Sequence, residues 1–566
     1  MKLKTTLLIF IFAVLFIGLY SCKKEAFNIN QNPNNATDSS ITYEVILPSA
    51  QNSTARLVGR NWGWLQNYLG YWARSGTFAP NTQEETYDIT TNFQAQIWSG
   101  FYDNLYDYEV MQLAAAKEGA TFYEGIAKIM KAHNYAILVS IYDNVPYKEA
   151  LQVAVNKTPK YDKGVDIYKD LLFQLDKGID LIKKADTAEA GPNGNVISND
   201  VMFGDLVVSG TTYKQMKTNW AKFANTIKLR ILTKFMNGGV EGGSAQVGTA
   251  AQNAPGVDLA VEFNKIRNEG SGFLDEVTGD AVVNPGYATD KGNPFYNLYI
   301  KDNNGSKTSS NDYYKGNYFA VGDGTTDGFY VQLLDDRAYG FYSQVSGKLK
   351  GVKYGLASST DNSADKLSGI GFGLSYAADE SQRIITVAES KMLQAECIHR
   401  GFITGDAKTT LNEGIAASFN TLFERFGYDG VTMADTYIAD NFDVPAVDYS
   451  AVPADARSAA GGIYTIITQK WLALNGIAPY EVWSDYRRVD FSSTTKHFVY
   501  GGRATGLNQA FIAPPISVST SKPASIKEIP LRLLYPQSEY LYNAANVGAQ
   551  PSTGTYPFTR PFWDLN

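Results

Sequence analysis

The chain has 566 residues, 44% apolar and 19% charged, which is enough apolar material for a large core and too much for a disordered chain. Its net charge of −7 and the lack of any long Lys/Arg cluster exclude the basic footprint of a nucleic-acid binder. Rings are abundant, with 37 Tyr, 29 Phe and 8 Trp against 3 His, and Tyr and Trp serve wet interfaces as well as cores.

The N-terminus reads as an export signal. Lys2 and Lys4 precede an apolar run from Leu7 to Leu19. That run is shorter than the roughly 20 residues of a membrane-spanning helix and has the layout of a secretory signal peptide. Leu19-Tyr20-Ser21-Cys22 follows and resembles a bacterial lipobox, which needs a thiol at the cleavage point and a small residue before it. Residues 1–21 are therefore expected to be a lipoprotein signal peptide, with Cys22 the lipidated N-terminus. The alternatives are an ordinary signal peptide with an incidental Cys, or an uncleaved anchor. Residues 22–40, rich in Asn, Pro and Ser, read as a flexible tether. Cys397 is then the one remaining thiol; it forms no internal disulfide and reads as a small buried hydrophobe.

Residues 41–566 are taken as one domain, mainly α, with long irregular loops. Trp64, Tyr68, Tyr71 and Trp72 have the spacing of one helix face, and Phe101, Leu105, Tyr108 and Leu113 mark another. Tyr123–Tyr142 follows, stopped by Asp143-Asn144-Val145-Pro146, and then Val165–Lys184 with Ile167, Leu171, Leu175 and Ile179 on one side. Further helices are expected over 220–236, 383–400, 406–426 and 462–474. The pairs 98–118 with 121–142 and 383–400 with 406–426 have lengths near those of tetratricopeptide hairpins, without that repeat's sequence pattern. Between about 237 and 380 Gly, Asn, Ser, Asp and Thr dominate and Tyr recurs, which marks a loop-rich insertion of the kind that carries function. The stretch 477–566 is read as loop-rich too.

Catalytic and metal-binding patterns are missing. His133, His399 and His497 stand alone, with no H-E-x-x-H, G-x-S-x-G or Walker loop in the chain. Gly369-Ile370-Gly371-Phe372-Gly373 has the wrong spacing for a dinucleotide loop, and Asp302-Asn303-Asn304-Gly305 reads as a turn rather than a calcium loop. The carboxylate neighbours Glu84-Glu85 and Asp335-Asp336 read as solvated surface. No metal and no cofactor is expected.

Several segments, in order, carry a family resemblance. They are Asn30-Gln31-Asn32-Pro33-Asn34-Asn35 after the lipobox, Trp220-Ala221-Lys222-Phe223 running on to Arg230, and Glu389-Ser390-Lys391-Met392-Leu393-Gln394-Ala395-Glu396 with Arg400-Gly401. Then come Gln469-Lys470-Trp471, Glu481-Val482-Trp483-Ser484-Asp485-Tyr486-Arg487-Arg488, and Ile529-Pro530-Leu531-Arg532 with Tyr535-Pro536 and Glu539. In these the chain resembles the SusD/RagB family of nutrient-binding outer-membrane lipoproteins of Bacteroidetes, in its SusD-like branch. The resemblance implies tetratricopeptide-like helical hairpins that scaffold irregular loops. It implies a non-catalytic protein, lipid-anchored in the outer membrane and facing outward. Such a protein binds oligosaccharide, or in some members peptide, and closes over a SusC-like TonB-dependent barrel transporter. Members often carry acidic residues soon after the lipidated Cys, where this chain has Lys23-Lys24-Glu25. The reading from another class is a surface glycoside hydrolase with an unrecognised carboxylate pair.

The residues themselves suggest where a glycan would stack. Sugar rings offer apolar C–H faces, so a platform wants rings on loops beside amides and charges. Two stretches fit: Trp72, Arg74 and Phe78 through to Tyr87, and Tyr313, Tyr314 and Tyr318 within Asn311–Tyr318. The competing reading packs these rings onto the helices. Trp220, Phe223, Ile227 and Ile231 are expected in the core. Arg487-Arg488 with Asp485 and Glu481 are expected either as a partly buried ion-pair network or as an anion site.

Overall fold

The computed structural model describes residues 42–152, 155–190, 198–204, 209–236, 256–325, 328–451, 461–489, 516, 518–526, 528–550 and 557–564. The signal peptide, Cys22 and the tether lie outside the described residues. Long helices form the frame: α1 (Tyr43–Arg60), α2 (Ala95–Glu118), α3 (Thr121–Tyr142), α4 (Gly164–Lys184) and α5 (Tyr213–Thr233). Later come α6 (Val387–His399), α7 (Ala407–Phe423), α8 (Gly430–Asp440), α9 (Gly461–Ala473) and α10 (Pro479–Arg488). Each of α1 to α7 packs on the next, while α9 lies on α6 and α10 reaches α3. The two expected hairpins, α2–α3 and α6–α7, are both present. Each helix buries one apolar face on its neighbour, and this drives the stacking.

Among the described residues strands are short and come in three antiparallel pairs. β1 (Trp72–Arg74) pairs with β5 (Tyr314–Gly316), β2 (Val145–Pro146) with β3 (Tyr161–Asp162), and β4 (Ala281–Val283) with β6 (Gln382–Ile385).

Several expected boundaries shift, each for a local reason. The aromatic helix is only Gly63–Tyr68: Gly70 turns left-handed at φ +80°, Tyr71 N–H donates to the Gln66 carbonyl, and Trp72 enters β1. Leu113 faces solvent in α2, because it lies five residues past Tyr108, about 140° round the helix; Met111 and Ala115 take the buried positions. The stretch expected to be helical from Arg383 begins as strand β6, and the helix starts only after Thr386, whose side chain accepts from Glu389 N–H. The helix expected from Trp220 starts earlier, at Tyr213, behind a reciprocal Thr212–Gln215 capping box. The stretch 477–566 is less irregular than expected, since α10 begins at Pro479, a residue suited to the first helical turn.

One apolar cluster joins the helices to the insertion, including Tyr330, Phe341 and Tyr342 from the latter. Cys397 and the expected core face Trp220, Phe223, Ile227 and Ile231 are buried. Beneath them lies a network of buried charges. Arg230 grips Glu389 with two contacts of 2.6 Å, Lys234 meets Glu481 at 3.0 Å, and Lys470 meets Asp485 at 3.0 Å. Arg488 holds Glu396 at 2.6 Å and Asp485 at 2.7 Å. Burial alone would raise the Glu396 carboxyl, but Arg488, Arg400 and Lys470 outweigh it and hold it near 2. Arg487 takes no carboxylate there. It donates to the Ser140 and Leu531 carbonyls and lies over the Trp483 ring at 4.0 Å. The expected ion-pair network is thus fully buried and ties α5, α6, α9 and α10 together.

Candidate functional site

The β1–β5 ribbon joins the two stretches expected to bind, with Trp72 opposite Gly316 and Arg74 opposite Tyr314. Most of their side chains turn inward. Trp72 is 1% exposed and packs on Tyr299 and Tyr314. The Tyr314 ring lies over Gly63 so closely that a Cβ there would come within 2.4 Å of it. Tyr87 is buried against Tyr68, and its hydroxyl accepts from Ser519 N–H at 2.8 Å. Arg74 is spent on Glu85 and on the carbonyls of Ser75, Phe78 and Leu356. Trp72, Tyr87 and Arg74 are fastenings that burial removes from a stacking surface, and Tyr314, half-buried, is packed against the same core. Phe78 and Tyr313 meet edge-to-face at 5.3 Å and are half-buried; Tyr318 is half-buried as well, with the Lys353 ammonium over its ring.

Of the four paired carboxylates only Asp336 is exposed, as expected; the other three are not solvated. Glu84, Glu85 and Asp335 are buried. Glu84 accepts from Asn67 at 2.7 Å; burial lifts its carboxyl to about 7, with Glu85 adding to the rise and the Asn67 and Tyr354 hydrogen bonds opposing it. Asp335 is bound to Arg337, which also donates to Ser418 and Gln469. Asp302 accepts from the N–H groups of Asn304 and Ser306, the turn the sequence suggests.

Beside the ribbon lies an open groove of about 520 Å³. Its walls come from Ile300 and Asn311, the short helix Arg337–Phe341 with the residues after it, and the segment 370–376. Three of its rings reach solvent: Tyr339 at 42%, Phe372 at 41% and Tyr376 at 58% exposed. Phe426 backs two of them, 4.8 Å from Phe372 and 5.3 Å from Tyr376. The polar lining is Asn311, Ser343, Gln344 and Ser375.

The glycine-rich run makes this wall possible. Gly371 N–H donates to the Phe341 carbonyl and Gly373 N–H to the Gly340 carbonyl. A Cβ on Gly371 would sit 2.3 Å from the Gly340 oxygen. Only glycine allows this close approach, which leaves the intervening Phe372 ring exposed. Of the expected stretches only Asn311 lines the groove. The signal for the rest was a Gly-Phe-Gly run followed by Tyr376.

A family model described as "Starch-binding associating with outer membrane" matches residues 31–501. The chain belongs to this SusD-like family. Solved SusD-like structures share its fold at low identity. A SusD homologue from Bacteroides fragilis superposes with a TM-score of 0.63 at 18% identity, covering 93% of this chain and 99% of that one. A chitin-binding SusD homologue from Flavobacterium johnsoniae gives 0.63 at 19% identity, with 93% and 99% covered. A SusD-like protein from Bacteroides thetaiotaomicron gives 0.62 at 18%, again covering 93% and 99%. No curated protein matches the chain in sequence. Described segments behind the SusD-like resemblance, such as Trp220–Arg230 and Glu481–Arg488, are buried helix and ion-pair positions, so they specify the scaffold. The groove of this SusD-like chain is built from other residues.

Proposed function

We propose that this protein is a non-catalytic, surface-exposed lipoprotein that binds oligosaccharide and passes it to a SusC-like TonB-dependent outer-membrane transporter. Cys22 carries the lipid in this reading. The family's starch-binding description and a chitin-binding structural neighbour support it. The observation that carries it is the groove, where Tyr339, Phe372 and Tyr376 stand exposed beside amides and hydroxyls. Rings stack on the C–H faces of a sugar while amides take its hydroxyls, and the volume lies within the range of small-ligand sites. Phe78, Tyr313 and Tyr318 extend the platform along the ribbon. Burial of Glu84, Glu85 and Asp335 argues against these pairs as hydrolytic machinery, which needs two carboxyls facing across a substrate.

The test is to incubate purified protein with immobilised and soluble polysaccharides. Retention on at least one, with no new reducing ends, is expected. Release of reducing ends that one carboxylate substitution abolishes would replace this reading with a hydrolase.

A further inference from the structure

We propose that the groove selects uncharged over acidic oligosaccharides, and that Glu380 enforces this by neutralising Arg425, a cation on its border. The inference rests on the carbohydrate reading and names the class of sugar.

No residue lining the groove carries a formal charge. Its polar groups are amides and hydroxyls, which pair equally well with hydroxyls that both donate and accept. Ser375 is 4% exposed, and its hydroxyl has no hydrogen-bond partner among the described residues. A buried hydroxyl left unpaired costs free energy, and a ligand hydroxyl at this wall would relieve that cost.

The cations nearby are already engaged. Arg425 lies over Tyr376 and Phe426, 5.2 and 5.6 Å from their centroids, and is ion-paired with Glu380. Glu380 also accepts from Tyr376 N–H at 2.8 Å, so one carboxylate fixes both the exposed ring and the cation beneath it. Arg383 donates to the Leu374 and Thr421 carbonyls and faces Asp280 at 3.7 Å. Lys315 is buried behind Gly369 and Ser343, with Asp312 at 3.9 Å. A uronate or sulfate would meet ring faces of negative quadrupole and a guanidinium already claimed by Glu380. It would lose hydration without gaining a partner.

The experiment is calorimetry with matched oligosaccharides of one linkage: β-1,4-mannohexaose against β-1,4-hexamannuronate, cellohexaose against β-1,4-hexaglucuronate, and maltohexaose against its α-1,4-linked uronate. The neutral member of the bound pair should bind at least about tenfold more tightly than the acid, or about 1.4 kcal/mol. Its affinity should change less than about twofold between ~0.05 and ~0.5 M salt, because no charge pair forms. Glu380→Gln keeps an acceptor for Tyr376 N–H and frees Arg425, so it should narrow the gap at least about threefold and make acid binding salt-sensitive. The double variant Glu380→Gln, Arg425→Gln should restore the gap. Equal or tighter binding of an acid by the native protein overturns the proposal, as does a folded Glu380→Gln protein with an unchanged gap. If neither member of any pair binds, the carbohydrate reading fails, and this inference with it.

Discussion

The β1–β5 ribbon and the groove beside it use the same materials, rings among small polar residues, to opposite ends. In the ribbon, Trp72 has Tyr299 and Tyr314 on it and is closed off; in the groove, Tyr376 has Phe426 and Arg425 on one side and solvent on the other. An aromatic-rich loop therefore does not by itself mark a binding face. What decides is whether a second layer of chain covers the ring. The ribbon is covered because Tyr314 of β5 and Tyr299 pack onto Trp72 of β1. The groove wall stays open because Gly371 and Gly373 press their backbone onto residues 340–341, leaving Phe372 uncovered.

Three measurements sharpen the contrast. Trp72→Ala should cost about 3–5 kcal/mol of stability in denaturant unfolding, the usual penalty for removing a large buried ring. A loss under about 1 kcal/mol would mean that the ribbon is not a closed layer. The ribbon region should also be the pH-sensitive one. The Glu84 carboxyl is lifted by burial to about 7 in the folded chain against an ordinary 4.5, so the folded state holds its proton more tightly. Its contribution is then full below pH 4.5 and is lost as pH rises toward 7, by on the order of 3 kcal/mol. Unfolding profiles of Glu84→Gln should lack that decline, and a decline identical to the parent's would assign it elsewhere. Tyr376→Ala and Phe372→Ala should each weaken oligosaccharide binding by about 2 kcal/mol, roughly thirtyfold, while changing stability by less than about 0.5 kcal/mol. Were they to destabilise the fold by about 3 kcal/mol and leave the affinity of the folded protein intact, the roles of groove and ribbon would be reversed.

Much of the frame was legible because helix periodicity is a local property. Ile167, Leu171, Leu175 and Ile179 repeat at the helical spacing and lie buried in α4, and Asp143 ends α3 with a positive φ of 66°. The misreadings came where one residue type serves two structures. Trp72 fits the helical spacing of Trp64 and Tyr68, but Gly70 breaks the helix before it. Leu113 is apolar enough for a core position and lies on the wrong side of α2. Glu84 and Glu85 have the look of surface, yet Asn67 and Arg74 satisfy them inside.

The sequence by itself determined the helical class, the hairpin order and the family, since these rest on short-range spacing and on motifs that occur in order. Only the tertiary structure decided which rings face solvent. Asn311, Tyr339, Phe372 and Tyr376 meet in one groove although up to 65 positions separate them (376 − 311). Exposure is set by what packs over a side chain, and the covering residue is most often remote in the chain, as Tyr314 is from Trp72. No local pattern encodes that partner.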